Sequence, residues 1–129
     1  MASDSDGFQL RAYVFLDSLQ PQLAQYMAKT NKVYDPKEYD SALFVEIAPA
    51  MEIHVKIDQA LKATKVSLGS MVTEWVFGMM QVHHEDQGEV RAAGQADDIG
   101  AQQAQLAFRR PAHRAEDGEQ RRLAGAGRP

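Results

Sequence analysis

Polar and apolar positions alternate most cleanly in ALFVEIA, Ala42–Ala48, which places Leu43, Val45 and Ile47 on one face of a strand and Phe44 and Glu46 on the other. Upstream, RAYVFLDSL (Arg11–Leu19) is rich in β-branched and aromatic residues and predicts a strand. QPQLAQYMAKT then reads as a short helix with Pro21 in its first turn, where a missing N–H costs little. NKVYDPKEYDS carries turn residues and links onward. Pro49 ends the Ala42–Ala48 strand and helps open a helix over Met51–Lys65. In that helix Ile53, Ile57, Ala60, Leu61 and Thr64 share one stripe, while Glu52, Lys56, Lys62 and Lys65 fall largely outside it. Gly69 is read as the following turn. SMVTEWV and GMMQVHH predict two strands meeting in a tight hairpin at Phe77-Gly78. Asp86 with Glu89 three residues on resembles a capping box, opening a last helix through Ala93. The order βα-βα-ββ-α predicts an α+β sandwich, one sheet with helices packed on it.

Composition changes this picture mainly at the C-terminal side. All six lysines precede or include Lys65, whereas six of the eight arginines fall between Arg109 and Arg128. From Gln95 onward the only large apolar residues are Ile99, Leu106, Phe108 and Leu123 among Ala, Gln, Arg, Gly and Pro. Such a segment buries too little surface to offset its ordering entropy. The domain is therefore expected over 8–95 and a low-complexity tail, disordered or foreign to the fold, over 96–129. A short helix near Ala101–Arg109 is compatible with the tail but marginal by itself. A frame change or truncation scar would account for the Ala/Arg/Gly/Pro bias, and an uninterrupted source-gene frame through a family-typical tail would remove that reading.

A length of 129 residues supports one modest domain. The formal net charge of −4 argues against nucleic acid as the main partner. Cysteine is absent, which excludes disulfides and thiolate metal sites. MASDSDGFQL is acidic and polar, unlike a signal peptide, and no apolar run approaches the roughly 18 residues that span a bilayer. These features predict a soluble intracellular protein with no membrane association.

Several of the elements carry a resemblance. ALFVEIAP…IDQALKATKV followed by SLGSMVTEWVFGMMQVHHEDQGEVRAAG resembles the bacterial microcompartment shell domain. In that family a strand leads to a helix ending in a motif of the kind A-x-K-A-(A/S/T)-x-V, here Ala60-Leu61-Lys62-Ala63-Thr64-Lys65-Val66. A hairpin and a helix opening with small residues follow, here Gln87-Gly88-Glu89-Val90 with Ala92, Ala93 and Gly94. The strand and helix that usually close the domain stand in front, as LRAYVFLDSLQPQLAQYM. That order resembles the circularly permuted branch, with a ferredoxin-like sandwich, and YVFLDSLQPQ resembles one half of a tandem-domain shell protein.

The resemblance implies a structural, non-enzymatic subunit without a cofactor, placed in the cytoplasm within a microcompartment shell. It implies cyclic homo-oligomers, hexamers or trimers, that tile into a sheet around a central pore. Partners would be other shell proteins and encapsulated enzymes. Lys62 matches the edge lysine that meets the neighbouring tile; a long stem with three donors suits that role. Val76, Phe77 and Gly78 match the turn that lines the pore. Trp75 and Phe77 are bulkier than the small residues usual there, so a narrow pore and simple packing aromatics both remain open.

Other chemistry is sparse. His83, His84, Glu85 and Asp86 invite a metal or acid–base reading, but adjacent strand residues point to opposite faces and no third ligand is evident. His54 and His113 are isolated. Glu46 and Glu74 would become candidate bases only if buried. Arg109-Arg110 and Arg121-Arg122 are nearly balanced by Glu116, Asp117 and Glu119. A small ligand-binding or regulatory oligomer of ferredoxin-like fold is the alternative function, and an enzyme built on the scattered histidines and carboxylates is a third.

Overall fold

A computed structural model describes residues 7–96 and 99–103. Its elements follow in the order β1 (Gln9–Leu16), α1 (Pro21–Thr30), β2 (Ser41–Ala48), α2 (Glu52–Ala63), β3 (Ser67–Glu74), β4 (Phe77–His84) and α3 (Gln87–Gln95). The strands form one antiparallel sheet in the order β1-β2-β4-β3. The alternation in β2 is realised: Leu43, Val45 and Ile47 are fully buried, while Phe44 and Glu46 are half-buried on the other side. On the inner face these side chains meet Met80 and Val82 of β4, Ile53, Ile57 and Ala60 of α2, and Val90 and Ala93 of α3. Leu19, Ala24, Met27 and Ala42 form a smaller cluster with Leu16 and Phe44, which seats α1 against the opposite face of the sheet. Among the described residues no helix is long and apolar enough to cross a membrane.

Several predicted details differ. Gly69 is not a turn; it lies inside β3, at a register shift between Leu68 and Ser70. A Cβ there would overlap the side chains of Gln81 and Asn31. Its carbonyl instead accepts from the backbone N–H groups of Lys32 (3.0 Å) and Val33 (3.1 Å), so glycine is what lets the α1–β2 connection lie along the sheet edge. The hairpin turn is Trp75-Val76, because Glu74 pairs with Phe77 and Thr73 with Gly78. Gly78 is thus a buried residue of β4, where a Cβ would collide with the Ala50 carbonyl and the Ile53 side chain. The Phe77-Gly78 assignment failed because glycine there serves close packing, while the turn uses Trp75 at a φ of 44°.

Lys56, predicted to lie largely outside the buried stripe, is only 3% exposed, with its Nζ 3.9 Å from the ring centroid of Phe8. The segment before β1 folds over that flank of α2, which periodicity within the helix cannot register. Asp86 does cap α3, accepting from the Gly88 N–H at 2.8 Å. Glu89 does not close the box; it accepts from the Lys65 N–H at 2.7 Å and ties α3 to the end of α2.

The expected domain limit at residue 95 falls inside the packed unit. Residues 99–103 are helical, Ile99 is fully buried in the main core, and Gln102 accepts from the Leu10 N–H (2.8 Å) while donating to the Phe8 carbonyl (3.0 Å). The rest of the predicted tail, 104–129, with its suggested helix beyond residue 103, lies outside the described residues.

Two variants test this account by chemical denaturation. Ile99→Ala removes a fully buried side chain and is expected to cost about 2–5 kcal/mol; a change under about 0.5 kcal/mol would show residues 99–103 to be peripheral. Trp75→Asn places a residue tolerant of positive φ in the turn and is expected to gain about 1 kcal/mol. A loss of stability would mean that the Trp75 ring contributes more than its backbone costs.

Candidate functional site

The residues matched to assembly roles lie at two ends of the domain. Close contact between Gly78 and the start of α2 puts the helix N-terminus beside the hairpin. From there α2 carries the chain away, so Lys62 stands about 15 Å further along the helix axis from Glu52, at the far end. The Lys62 side chain is 75% exposed, and its Nζ contacts Asp58 Oδ2 at 2.7 Å. An exposed i,i+4 pair of this kind contributes only about 0.3–0.5 kcal/mol, so it holds the ammonium loosely. Leu61 beside it is exposed although it was expected in the buried stripe.

At the hairpin end Trp75 is 99% exposed, and Val76 and Phe77 are also exposed. The Arg11 guanidinium lies 4.8 Å from the Phe77 ring centroid, so this end presents an apolar tip with a cation stacked on one side. Met51, at the start of α2, is exposed as well. Gly78 itself is buried behind the tip. The aromatics therefore divide: among the described residues Trp75 packs against nothing, whereas Phe77 packs under Arg11.

Between these ends, α2 and the outer strand β3 flank an apolar groove of about 390 Å³. Ile57 and Leu61 of α2, Leu68 and Met71 of β3, and Val33 of the α1–β2 connection line it. A second, more polar pocket of about 290 Å³ lies by the end of β4, where Asp35, Lys37, Asp40, His83, His84 and Glu85 gather. The two histidines are used differently. His83 is buried, with Nε2 2.9 Å from the Tyr34 carbonyl and Nδ1 3.7 Å from Asp40 Oδ2. The His84 Nδ1 accepts from the Asp86 N–H at 2.9 Å. Among the described residues no group of three or more His, Asp or Glu is placed to hold a metal ion.

His54 is exposed, with Nδ1 3.1 Å from the Met51 carbonyl. Glu46 is half-buried and Glu74 exposed, so neither is a sequestered carboxylate. His113 and the arginine pairs 109–110 and 121–122 lie outside the described residues. Sequence reasoning missed the Asp40–His83 contact and the environment of Tyr13. Burial pushes the Tyr13 hydroxyl above the usual phenol range, and the Arg91 guanidinium pulls it the other way. Partners so far apart along the chain leave no periodic signal.

Residues 10–105 match the family described as the CsoS1D N-terminal domain. Over 87 residues, 67% of this chain and 42% of the relative, the chain is 52% identical to the carboxysome shell protein CsoS1D of Hydrogenovibrio crunogenus. It is 42% identical over 90 residues, 70% of this chain and 42% of the relative, to the carboxysome shell protein CcmP of Synechococcus elongatus. Two solved structures share the fold. The double-ringed trimeric shell protein MSM0271 from the RMM microcompartment has a TM-score of 0.63 and 37% identity, covering 73% of this chain and 45% of its own. The fused permuted hexameric shell protein MSM0275 from the same microcompartment has a TM-score of 0.65 and 38% identity, covering 68% of this chain and 43% of its own. The chain thus spans about two fifths of the length of the curated relatives it matches. With the permuted strand order, the buried core and these matches in agreement, the chain belongs to the CsoS1D N-terminal domain family of microcompartment shell proteins.

Proposed function

We propose that this chain works as a structural tile of a bacterial microcompartment shell, one that forms a ring and joins other rings into a sheet. The observation that carries this reading is the separation along α2. The apolar hairpin tip stands at one end of the domain and the exposed Lys62 at the other. A wedge placed in a ring needs this polarity, with one end crowded at the axis and the other available at the perimeter.

In this reading Trp75, Val76 and Phe77 surround the central opening. Gly78 contributes from behind, by letting α2 pack close to the strand that carries the tip. Lys62 gives up its exposed contact with Asp58 for backbone carbonyls of the neighbouring tile. Copies of the domain, or two such domains in one longer chain, supply a hexameric or trimeric ring. Other shell proteins adjoin its edges, and encapsulated enzymes face its luminal side. The tile itself performs no reaction.

The alternative, a small ligand-binding or regulatory oligomer, draws on the apolar groove between α2 and β3. Native mass and negative-stain images of one sample separate the two readings. The shell reading expects a six-fold ring near six times 14.3 kDa with patches of hexagonal sheet. A discrete dimer or trimer that never tiles would favour the ligand-binding oligomer. Lys62→Ala is expected to leave the ring mass unchanged and to weaken sheet formation, scored as sheet area at equal protein concentration. Unchanged tiling in that variant would remove Lys62 from the edge.

A further inference from the structure

The connection between α1 and β2, residues 31–40, is fastened to the sheet at three places. Asn31 Nδ2 donates to Gln81 Oε1 at 3.0 Å. The N–H groups of Lys32 and Val33 donate to the Gly69 carbonyl, and that of Tyr34 to the Leu68 carbonyl, so this part is tied to β3 without forming a strand of its own. The third fastening is His83, buried at the end of β4 and opposite Ala42 of β2 and Ser67 of β3.

Both ring nitrogens of His83 face oxygens that can accept. The Tyr34 carbonyl lies 2.9 Å from Nε2, and Asp40 Oδ2 lies 3.7 Å from Nδ1. The same Asp40 oxygen accepts from the Lys37 N–H at 2.9 Å, and the Asp40 N–H donates to the Lys37 carbonyl. A neutral imidazole carries one N–H and can serve only one of its two neighbours, whereas the cation serves both. The adjacent His84 has the opposite arrangement: its Nδ1 needs a lone pair to accept from the Asp86 N–H, which fits the neutral ring.

Other charges near His83 come from two elements. Asp35, Lys37 and Asp40 stand on the connection, and His84 and Glu85 stand at the end of β4 and just beyond it. The residues that β2 and β3 place opposite His83, Ala42 and Ser67, are not titratable.

We propose that His83 is a pH-responsive latch for residues 35–40. With the ring protonated, it holds the Tyr34 carbonyl and the Asp40 carboxylate together, and Asp40 in turn orders the turn at Lys37. With the ring neutral, Nδ1 presents a lone pair to a carboxylate and the Asp40 side chain is released, while Nε2 keeps the Tyr34 carbonyl and Leu19 keeps its backbone bonds to Tyr39 and Asp40, each 2.8 Å. Protonation of the ring on acidification thereby tightens the connection.

The test uses the full chain, labelled with nitrogen-15 and followed by NMR from about pH 8 down to pH 5.5. The Lys37 amide is expected to titrate with the same midpoint as the His83 ring. Hydrogen-exchange protection of the Lys37, Tyr39 and Asp40 amides, corrected for intrinsic exchange, is expected to rise on the order of tenfold on acidification. His83→Gln keeps a donor for Tyr34 without a titrating ring, and Asp40→Asn removes the carboxylate. Either variant should flatten the response. Persistence of the response in His83→Gln would assign it to His84, Asp35 or Glu85 and overturn the proposal. Protection in the parent chain that is flat, or that rises with pH, would do the same. If His83→Gln fails to fold, the comparison of the Lys37 and His83 midpoints in the parent chain decides alone.

Discussion

The fold depends on the approach of α2 to β4 at Gly78, where the Ala50 carbonyl and the Ile53 side chain occupy the space a Cβ would need. That contact sets where α2 begins relative to the sheet. Once the start is set, the twelve residues of the helix determine where it ends, and Lys62 follows. The inner face of the sheet then meets Ile53, Ile57 and Ala60 in register with Leu43, Val45, Ile47 and Met80. A methyl group at residue 78 would lift the helix from the strand and disturb the hairpin end, the core and the Lys62 end together. One glycine thereby couples the hairpin tip to the Lys62 end of the domain.

Much of this architecture was legible in local pattern. The alternation of β2 and the order of all seven elements follow from periods of two and of about 3.6, which a chain displays whether or not its partners are known. The cap at Asp86 is equally local. What escaped were features created by distant partners. Lys56 reads as solvated within its helix and is buried only because Phe8 crosses it. Gly69 reads as a turn because glycine usually punctuates; here it is small so that Asn31 and Gln81 can meet over it. Ile99 sits in a polar stretch that looks unable to fold, yet one apolar side chain entering an existing core needs no stripe of its own. Of the candidate site residues, the exposure of Lys62 was readable from helix phase, while the true position of the hairpin turn was not. A tryptophan at positive φ contradicts ordinary turn chemistry, and its exposure left no packing signal to correct the register.

Both edges of the sheet are partly covered by the chain itself. Residues 32–34 lie on the outer side of β3 through the carbonyls of Gly69 and Leu68. On the outer side of β1, the Gln102 side-chain amide imitates a strand by bonding the Phe8 carbonyl and the Leu10 N–H. Covered edges resist open-ended strand addition. What stays exposed at the hairpin tip and at the end of α2 is instead side chains, Trp75, Val76 and Phe77 at one and Lys62 at the other. The closed rings proposed above would benefit from covered edges, because strand addition has no built-in stopping point.

The Gln102 contact also bears on the ancestry of the fold. It brings residues 8–10 and 102 within hydrogen-bond distance, so the first and last described segments of the domain are neighbours in space. Where the two ends of a domain touch, the chain can be opened at another loop and rejoined at the old ends with little change to the core. The same proximity gives a second copy a short bridge by which to follow the first. A reordered domain and a doubled one are therefore two products of a single piece of geometry, each reachable by a genetic event that leaves the packed sheet as it was.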